Sequence, residues 1–375
     1  MEDSKKVTAS DISVGADIKQ SPCNNTENII ADMPATGNLQ ATENGTENKL
    51  LPVVSMGELY DTSYPPKVPV VDGLINAGTY LFVGAPKVGK SFFMAQLAYH
   101  VSMGIPLWDY QVRQGSVLYL ALEDDYARLQ KRLYTMFGIE CSENLYFSTK
   151  SKSLNEGLDE QLNEFVTDHK DARLIIIDTL QKVREASGEK FSYANDYEIV
   201  TKLKAFSDKH GICLLVVHHT RKMESSDSFD MISGTNGLLG AADGAYVMQK
   251  EKRTENKAVL EVTGRDQPDV RLQLQFETDR CKWKLVKLET ELWREPVDPI
   301  LEMVAGVVSD ENPEWEGTAT ELLELLPGID LNPNMLTRKL NPLAGKLYLD
   351  YGVIYDSGKK HKGRHVTLKK VADNS

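Results

Sequence analysis

The sequence of 375 residues has few cysteines, no long apolar run and no excess of positive charge. Its four cysteines are widely spaced and form no C-x-x-C pair, which argues against a disulfide framework or a zinc site and indicates reduced thiols. No apolar run approaches the length of a membrane-spanning helix, and the N-terminal "MEDSKKVTAS" lacks the apolar core of a signal peptide. The formal net charge of −12 argues against a surface that binds nucleic acid all over, so any such binding would be local. We therefore expect a cytoplasmic protein.

Composition divides the chain into three parts. Residues 1–50 are rich in Asn, Thr, Ser, Asp and Glu and predict a disordered leader, with a short docking segment around "NIIADM" as the alternative. Residues 51–295 alternate short apolar runs with helical patterns, and they end in a period-two pattern. This indicates an α/β domain with a mostly parallel sheet and an antiparallel extension at one edge. Two prolines in "WREPVDP" mark a boundary, and residues 296–375 predict two capped helices followed by a β-hairpin. The candidate parallel strands are 79–83, 117–122, 174–178, 213–217 and 244–249.

The stretch "GAPKVGKS", residues 84–91, joins the apolar run "TYLFV" to the helix-forming stretch "FFMAQLAYHV". Its two glycines allow successive N–H groups to curl around an anion, and the start of the helix adds free N–H donors. Lys90 would reach the β- and γ-phosphates, and the hydroxyl of Ser91 would hold Mg²⁺. The sequence therefore predicts an ATP site formed by Gly84, Ala85, Pro86, Lys87, Val88, Gly89, Lys90, Ser91 and Phe92.

Two acidic residues follow other candidate strands. Asp178 ends "LIIID" and is expected to bind Mg²⁺, directly or through water, beside the phosphate loop. Glu123 ends "LYLALE" and is a candidate base that polarises the attacking water, with helix capping as the alternative. Asp124 and Asp125 are expected to cap the next helix instead.

A pair of histidines leaves the apolar strand "LLVV" at the same edge of the sheet. A histidine at a strand end is often purely structural. Here the shared edge with Asp178 and Glu123 also allows a contact with the γ-phosphate.

Six ordered motifs resemble the RecA-like ATPases of the RepA hexameric helicase type, which are related to DnaB helicases. The motifs are "VDGLINAGTYLFVGAPKVGKSFFMAQLA", "VLYLALEDDYARLQKRL", "LIIIDTLQKV", "VVHHTRK", "SGTNGLLGAADGAYVM" and "VTGRD". The resemblance implies a base at Glu123, a metal-associated acid at Asp178 and a γ-phosphate sensor at His219, with His218 packing inward. It also implies a ring in which each ATP lies between subunits.

In such a ring an arginine from the neighbouring subunit completes each site. One branch of the family carries it in the region of "AADGAYVM", which has no arginine in this sequence. In the DnaB branch it lies on a later strand, and "TGRD" supplies Arg265 there; Arg253 is the second candidate. A surface arginine without a catalytic role is the alternative.

Two regions are candidates for contact with DNA. In RecA-like rings the loops after the strands of Asp178 and His219 line the pore; here they carry interspersed acids, so solvated loops are an equal alternative. Their candidate residues are Lys182, Arg184, Lys190, Phe191, Tyr193, Arg221 and Lys222. The C-terminal tail is strongly basic and resembles a winged helix, with "NMLTRKLNPL" as recognition helix and "SGKKHKGRH" as wing. Its candidates are Arg338, Lys339, Lys359, Lys360, Lys362 and Arg364, with a solvated hairpin as the alternative.

Together the motifs predict an ATP- and Mg²⁺-dependent DNA helicase or DNA-loading ATPase of the RepA type, expected to form a hexamer and to act in replication of plasmids or mobile elements. A recombination or repair ATPase of the RadA type is one alternative. An ATP-switched DNA-binding regulator without motor activity is another. A ring ATPase without a nucleic-acid role is a third, against which the basic tail argues.

Overall fold

The computed structural model describes most of the chain after the leader. The described residues are 53–64, 67–184, 193–219, 236–250, 252, 255–265, 267–289, 298–360 and 363–371, without the side chains of 193–196, 236–237, 359–360 and 363–364. The expected leader, residues 1–50, and the boundary motif "WREPVDP" therefore lie almost entirely outside the described residues.

Helices and strands alternate along the first part of the described chain. The helices are α1 Met56–Asp61, α2 Lys90–Met103, α3 Tyr126–Phe137, α4 Leu158–Asp168, α5 Leu180–Val183, α6 Tyr193–His210, α7 Asn236–Ala241, α8 Pro299–Ala305, α9 Ala319–Glu324, α10 Pro333–Leu340 and α11 Ala344–Tyr351. The strands are β1 Gly78–Gly84, β2 Val117–Ala121, β3 Leu145–Ser148, β4 Leu174–Asp178, β5 Cys213–His219, β6 Gly244–Gln249, β7 Lys257–Gly264, β8 Gln267–Glu277, β9 Lys282–Leu288, β10 Glu314–Thr318, β11 Val353–Lys360 and β12 Gly363–Lys370.

One sheet organises the larger unit. Its strand order is β3-β2-β4-β5-β1-β6-β7-β8-β9. The pairs from β3 to β6 are parallel, and those from β6 to β9 are antiparallel. The expected α/β fold with a mostly parallel sheet and an antiparallel extension is confirmed. Strand β3 and helix α4 were not predicted from the sequence, because β3 is short and only half-buried.

Helices cover both faces of the parallel part, which explains why its strands are apolar without alternation. One core lies between the sheet and α2 and includes Leu97, Tyr119, Ile176 and Val217. The second core lies on the opposite face, where α4 and α6 contribute Leu162 and Leu203. Successive residues of each strand enter the two cores in turn, as the pleat requires.

The antiparallel extension folds back onto α2 through Trp283 of β9. The backbone N–H and C=O of Trp283 are both bonded by the side-chain amide of Gln96, at 2.8 Å and 3.0 Å. Trp108 Nε1 also donates to the Trp283 carbonyl, at 2.7 Å. A single glutamine amide thus satisfies an edge strand at the point where it crosses the helix.

The C-terminal unit has its own core and a three-stranded sheet of order β10-β12-β11. Thr318 caps α9 and Asn332 caps α10, and β11 pairs with β12 as a hairpin, as expected. The structure adds α8 and β10, which were not predicted from the sequence. The stretch "NPNMLTRKLNPLAGKL" forms α10 and α11 with a short 3₁₀ turn at 341–343 between them.

The short helix α1 contacts this C-terminal unit by polar groups. Asp61 pairs with Arg338 at 3.0 Å, and the Asn341 side-chain amide donates to the Tyr60 carbonyl at 2.7 Å. Within the described part of the chain no helix is long and apolar enough to cross a bilayer. The three described cysteines, Cys141, Cys213 and Cys281, are free.

Replacement of Gln96 by alanine should destabilise the fold, because the buried Trp283 N–H loses its partner. We expect a loss of about 2 kcal/mol in the free energy of unfolding. Urea titration followed by tryptophan fluorescence measures it. Gln130→Ala, at an exposed position of α3, is the matched control and should change stability little. Equal stability of the two variants would contradict the role assigned to Gln96.

Candidate active site

The loop between β1 and α2 requires glycine at two positions. A Cβ on Gly84 would lie 2.5 Å from the Met248 carbonyl oxygen of the adjacent strand β6. Gly89 has a φ of +108°, and a Cβ there would lie 2.8 Å from the indole of Trp283. The Trp283 Nε1 also donates to the Gly89 carbonyl at 3.2 Å. The antiparallel extension therefore fixes the backbone of the loop directly.

The first N–H groups of α2 point into this loop. Gly89 is the N-cap residue, and no side chain caps the helix. Backbone donors at a helix start, together with the positive end of the helix dipole, favour a bound anion. The exposed residues Ala85, Pro86 and Lys87 form the outer wall of the loop, while Val88 packs inward.

The ammonium group of Lys90 is buried beneath the loop, with 5% of the residue exposed. Its Nζ lies 2.7 Å from the Gly84 carbonyl oxygen, 3.0 Å from that of Ala85 and 3.0 Å from His219 Nδ1. Three acceptors thus match the three N–H donors of the ammonium group. Burial lowers the pKa of Lys90 from 10.5 to about 8, while the charges of Asp178 and Glu123 act in the opposite direction.

Asp178 ends β4 beside the start of α2. Its Oδ2 accepts hydrogen bonds from Ser91 Oγ at 2.8 Å and from the Tyr119 hydroxyl at 2.9 Å. Burial raises the pKa of Asp178, and the two hydrogen bonds lower it. The structure therefore places together the two side chains that the sequence motifs assigned to a metal, Ser91 and Asp178.

Glu123 follows β2 and lies across the site from Lys90. Its Oε1 accepts a hydrogen bond from Thr179 Oγ1 at 3.1 Å, and its Oε2 lies 3.9 Å from His219 Nε2. Asp125 caps α3 by accepting from the Arg128 N–H, as expected. Asp124 instead pairs with Arg132 at 2.7 Å, so only one of the two expected caps is formed.

The two histidines of β5 lie on opposite faces of the sheet. Val217 packs in the core beneath α2, so His219, two residues on, faces the phosphate loop, and His218 faces the other side. Because an ammonium group only donates, His219 Nδ1 accepts from Lys90, and Nε2 carries the proton of the neutral ring. Burial and the Lys90 charge lower the pKa of His219, which favours that neutral form.

Arg265 lies at the other edge of the sheet. Gly264 pairs with Gly244 at the beginning of β6, and Gly244 pairs with Tyr80, four residues before the end of β1. Arg265 is thus separated from its own phosphate loop by about 13 Å along β1 alone. Its guanidinium donates to the Gly240 carbonyl at 2.8 Å. Arg253, the second candidate, lies outside the described residues.

The candidate DNA-binding residues are only partly described. Lys182 is exposed on α5, and Arg184 follows that helix half-buried. Lys190, Phe191, Arg221, Lys222 and Lys362 lie outside the described residues, as do the side chains of Tyr193, Lys359, Lys360 and Arg364.

Basic side chains of the C-terminal unit pair with acids that lie outside the basic tail or at its beginning. On α10, Arg338 pairs with Asp61 and Lys339 pairs with Asp298. On β12, Lys369 pairs with Glu314 of β10. The local positive charge of this unit is therefore smaller than the tail sequence alone indicates.

Three functional candidates were missed by sequence reasoning. Tyr119 and Thr179 contact Asp178 and Glu123, and their placement follows from the adjacency of β2 and β4, which the chain order does not reveal. The third is an aromatic group beside the loop. The Phe92 and Phe276 rings lie 5.4 Å apart, and Lys250 Nζ lies 5.7 Å from the Phe276 ring centroid.

Comparison with known proteins agrees with the position of the loop. A family model described as "AAA domain" matches residues 46–225. No curated protein matches the chain significantly.

Solved structures with partial similarity include an ATPase domain, a helicase and a KaiC-like protein. The ATPase domain has 15% sequence identity and a TM-score of 0.48 over 56% of this chain and 85% of that one. A DnaB-like replicative helicase, solved in a study of its interactions with primase, has 15% identity and a TM-score of 0.46 over 56% of this chain and 59% of that one. A KaiC-like protein of Pyrococcus horikoshii has 14% identity and a TM-score of 0.44 over 60% of this chain and 99% of that one.

The pKa of Lys90 offers a direct test of the site geometry. In protein labelled with ¹³C at lysine Cε, one lysine should titrate near pH 8, and its resonance should be absent from Lys90→Arg. Glu123→Gln should lower this pKa further, because the carboxylate charge of Glu123 raises it. If every lysine titrated close to 10.5, the buried position of Lys90 would be wrong.

Proposed function

We propose that this protein is a RecA-like ATPase that hydrolyses ATP with Mg²⁺ at the loop of residues 84–91. The observation that carries the proposal is the Lys90 ammonium group, held by Gly84, Ala85 and His219 at the start of an uncapped helix. A triphosphate brings oxygens that replace these acceptors, and its charge offsets the desolvation of the lysine. The match of residues 46–225 to the AAA domain model supports the proposal.

The residues beside the loop fit a magnesium ion. Mg²⁺ in nucleotide sites is held by one or two carboxylates or hydroxyls and by phosphate oxygens, and it keeps several waters. Ser91 Oγ and the Asp178 carboxylate are hard oxygen ligands in contact with each other. When bound, the ion would neutralise charge that develops on the phosphate oxygens.

In the proposed mechanism, Glu123 orients the attacking water and accepts its proton. Thr179 fixes one oxygen of Glu123 and leaves the other facing the site. His219 stands between Glu123 and Lys90, so it is placed to respond when a γ-phosphate takes over the Lys90 ammonium. Lys90 itself stabilises the charge of the transferred phosphoryl group.

The aromatic group next to Phe92 provides a surface for the nucleobase. Phe276 stands beside Phe92, the first residue after the loop serine, and Lys250 lies over the Phe276 ring. Base rings stack on aromatic faces and on cationic groups, without a requirement for a particular base. Phe276 and Lys250 are therefore assigned to the base end of the nucleotide.

The proposed assembly is a ring, a hexamer by resemblance, in which Arg265 of one subunit reaches the γ-phosphate of the next. Its position at the edge opposite its own phosphate loop supports action between subunits. The proposed role is that of a DNA helicase or DNA-loading ATPase of the RepA type. The deciding experiment is ATP turnover with and without single-stranded DNA, together with a solution mass and a forked-duplex unwinding assay. Turnover without strand separation would favour loading or recombination, and absence of turnover would reject the proposal.

Two substitutions separate binding from hydrolysis. Lys90→Ala should abolish ATP turnover, whereas Glu123→Gln should keep ATP binding and lower the turnover rate by about 100-fold or more. Phosphate release and equilibrium nucleotide binding measure the two effects, and circular dichroism verifies the fold. Normal turnover in Lys90→Ala would remove the proposed site.

The basic wing provides a test of DNA binding. Replacement of Lys359, Lys360, Lys362 and Arg364 by glutamine should weaken DNA binding and flatten its salt dependence, because fewer counterions are released. Fluorescence anisotropy over a series of salt concentrations measures the slope. Lys131→Gln, on the exposed side of α3, is a matched control with one charge removed. An unchanged slope in the quadruple variant would assign the wing to the solvated surface.

A further inference from the structure

Tyr119 is a fully buried titratable residue that the proposed mechanism does not use. It lies in the middle of β2 and packs in the core beneath α2, with the Phe147 ring 5.6 Å away. Phenylalanine would fill the same space without the cost of burying a hydroxyl group. The hydroxyl donates to Asp178 Oδ2 at 2.9 Å, so its contribution lies at the site and not in the packing.

The strand register explains how a core residue reaches the site. Tyr119 pairs with Ile176 and Ala121 pairs with Asp178 in the parallel β2–β4 ladder. Tyr119 and Asp178 therefore point to the same face of the sheet, separated by two residues along the strand direction. The long phenol side chain spans this distance and brings its hydroxyl beneath the carboxylate.

Both hydroxyl donors of the site use the same carboxylate oxygen. Ser91 Oγ lies 2.8 Å from Asp178 Oδ2, and the Tyr119 hydroxyl lies 2.9 Å from it. A carboxylate oxygen offers two lone-pair directions, so Oδ2 is filled and the orientation of the carboxylate is fixed. Oδ1 is then the oxygen left for a cation or its water. Of the two donors, Ser91 belongs to the phosphate loop, and Tyr119 belongs to the core.

We propose that Tyr119 is a positioning residue, which holds the Asp178 carboxylate in the orientation that accepts the magnesium ion of a bound nucleotide. The inference rests on the proposed function, because it assigns the ion to Ser91 and Asp178. Tyr119 touches neither nucleotide nor metal. Its hydrogen bond persists when the Ser91 oxygen turns to the cation, and so it anchors Asp178 in both states of the site. Partners of this kind behind a metal ligand typically change metal affinity by 10- to 100-fold.

The test is the binding of a fluorescent N-methylanthraniloyl derivative of a non-hydrolysable ATP analogue to the full chain, with Mg²⁺ or with EDTA. In Tyr119→Phe the affinity should fall about tenfold with Mg²⁺ and stay unchanged in EDTA. Tyr246→Phe is the matched control. Tyr246 is buried in the same core and donates to the Leu74 carbonyl, so its loss should affect neither measurement.

Three results overturn the inference. Tyr119→Phe with wild-type affinity in both conditions removes the role of the hydroxyl. An equal loss with Mg²⁺ and with EDTA shows general damage to the fold. A wild-type chain that does not bind the analogue at all rejects the proposed function, and the inference with it.

A second pair of variants decides the matter if Tyr119→Phe alone does not fold. Asp178→Asn and the double variant Asp178→Asn with Tyr119→Phe should bind the analogue equally in the presence of Mg²⁺, because Tyr119 acts only through the carboxylate. Any difference between these two variants contradicts the proposal. A double-mutant comparison of this kind isolates the coupling between the two side chains.

Discussion

The desolvated ammonium group of Lys90 is the interaction on which the rest of the site depends. A buried charge is stable only if each of its donors has a partner. Here the partners are the carbonyls of Gly84 and Ala85 and the ring of His219, with the carboxylates of Asp178 and Glu123 nearby. These groups come from the ends of β1, β2, β4 and β5, so the charge is accommodated only when the strands are adjacent in the observed order.

The antiparallel extension contributes to the same site by a different route. Trp283 touches Gly89 from β9, far along the chain, and Gln96 of α2 binds the backbone of Trp283. The loop is therefore clamped between its own helix and the last strand of the sheet. Such a clamp keeps the loop N–H groups oriented before a ligand arrives, which reduces the cost of ordering them upon binding. Phe276, one strand away, extends the same surface toward the base end of the proposed nucleotide.

Sequence reasoning located the parts of the site that are encoded locally. The loop of residues 84–91 and the acids at strand ends follow from short patterns, and the shared edge follows from the general geometry of parallel strands. Tyr119, Thr179 and Trp283 could not be located in this way, because their contacts depend on which strands become neighbours. The ion pairs of Arg338 and Lys339 were missed for a related reason: their partners Asp61 and Asp298 belong to other elements. Exposed pairs of this kind contribute about 0–1 kcal/mol, so phosphates would displace them at small cost.

Arg265 and Lys90 constrain how the proposed chemistry is completed. One sheet separates them, since Arg265 follows β7 where β6 begins and Lys90 follows β1 where that strand ends. No side-chain rotation carries a guanidinium across the length of a strand, so a phosphate held by Lys90 is out of reach of Arg265 in the same subunit. A site that uses both groups must therefore be shared between two copies. If each copy gives an arginine to one neighbour and receives one from the other, the contact is head-to-tail, and repetition of that contact closes into a ring or continues as a filament.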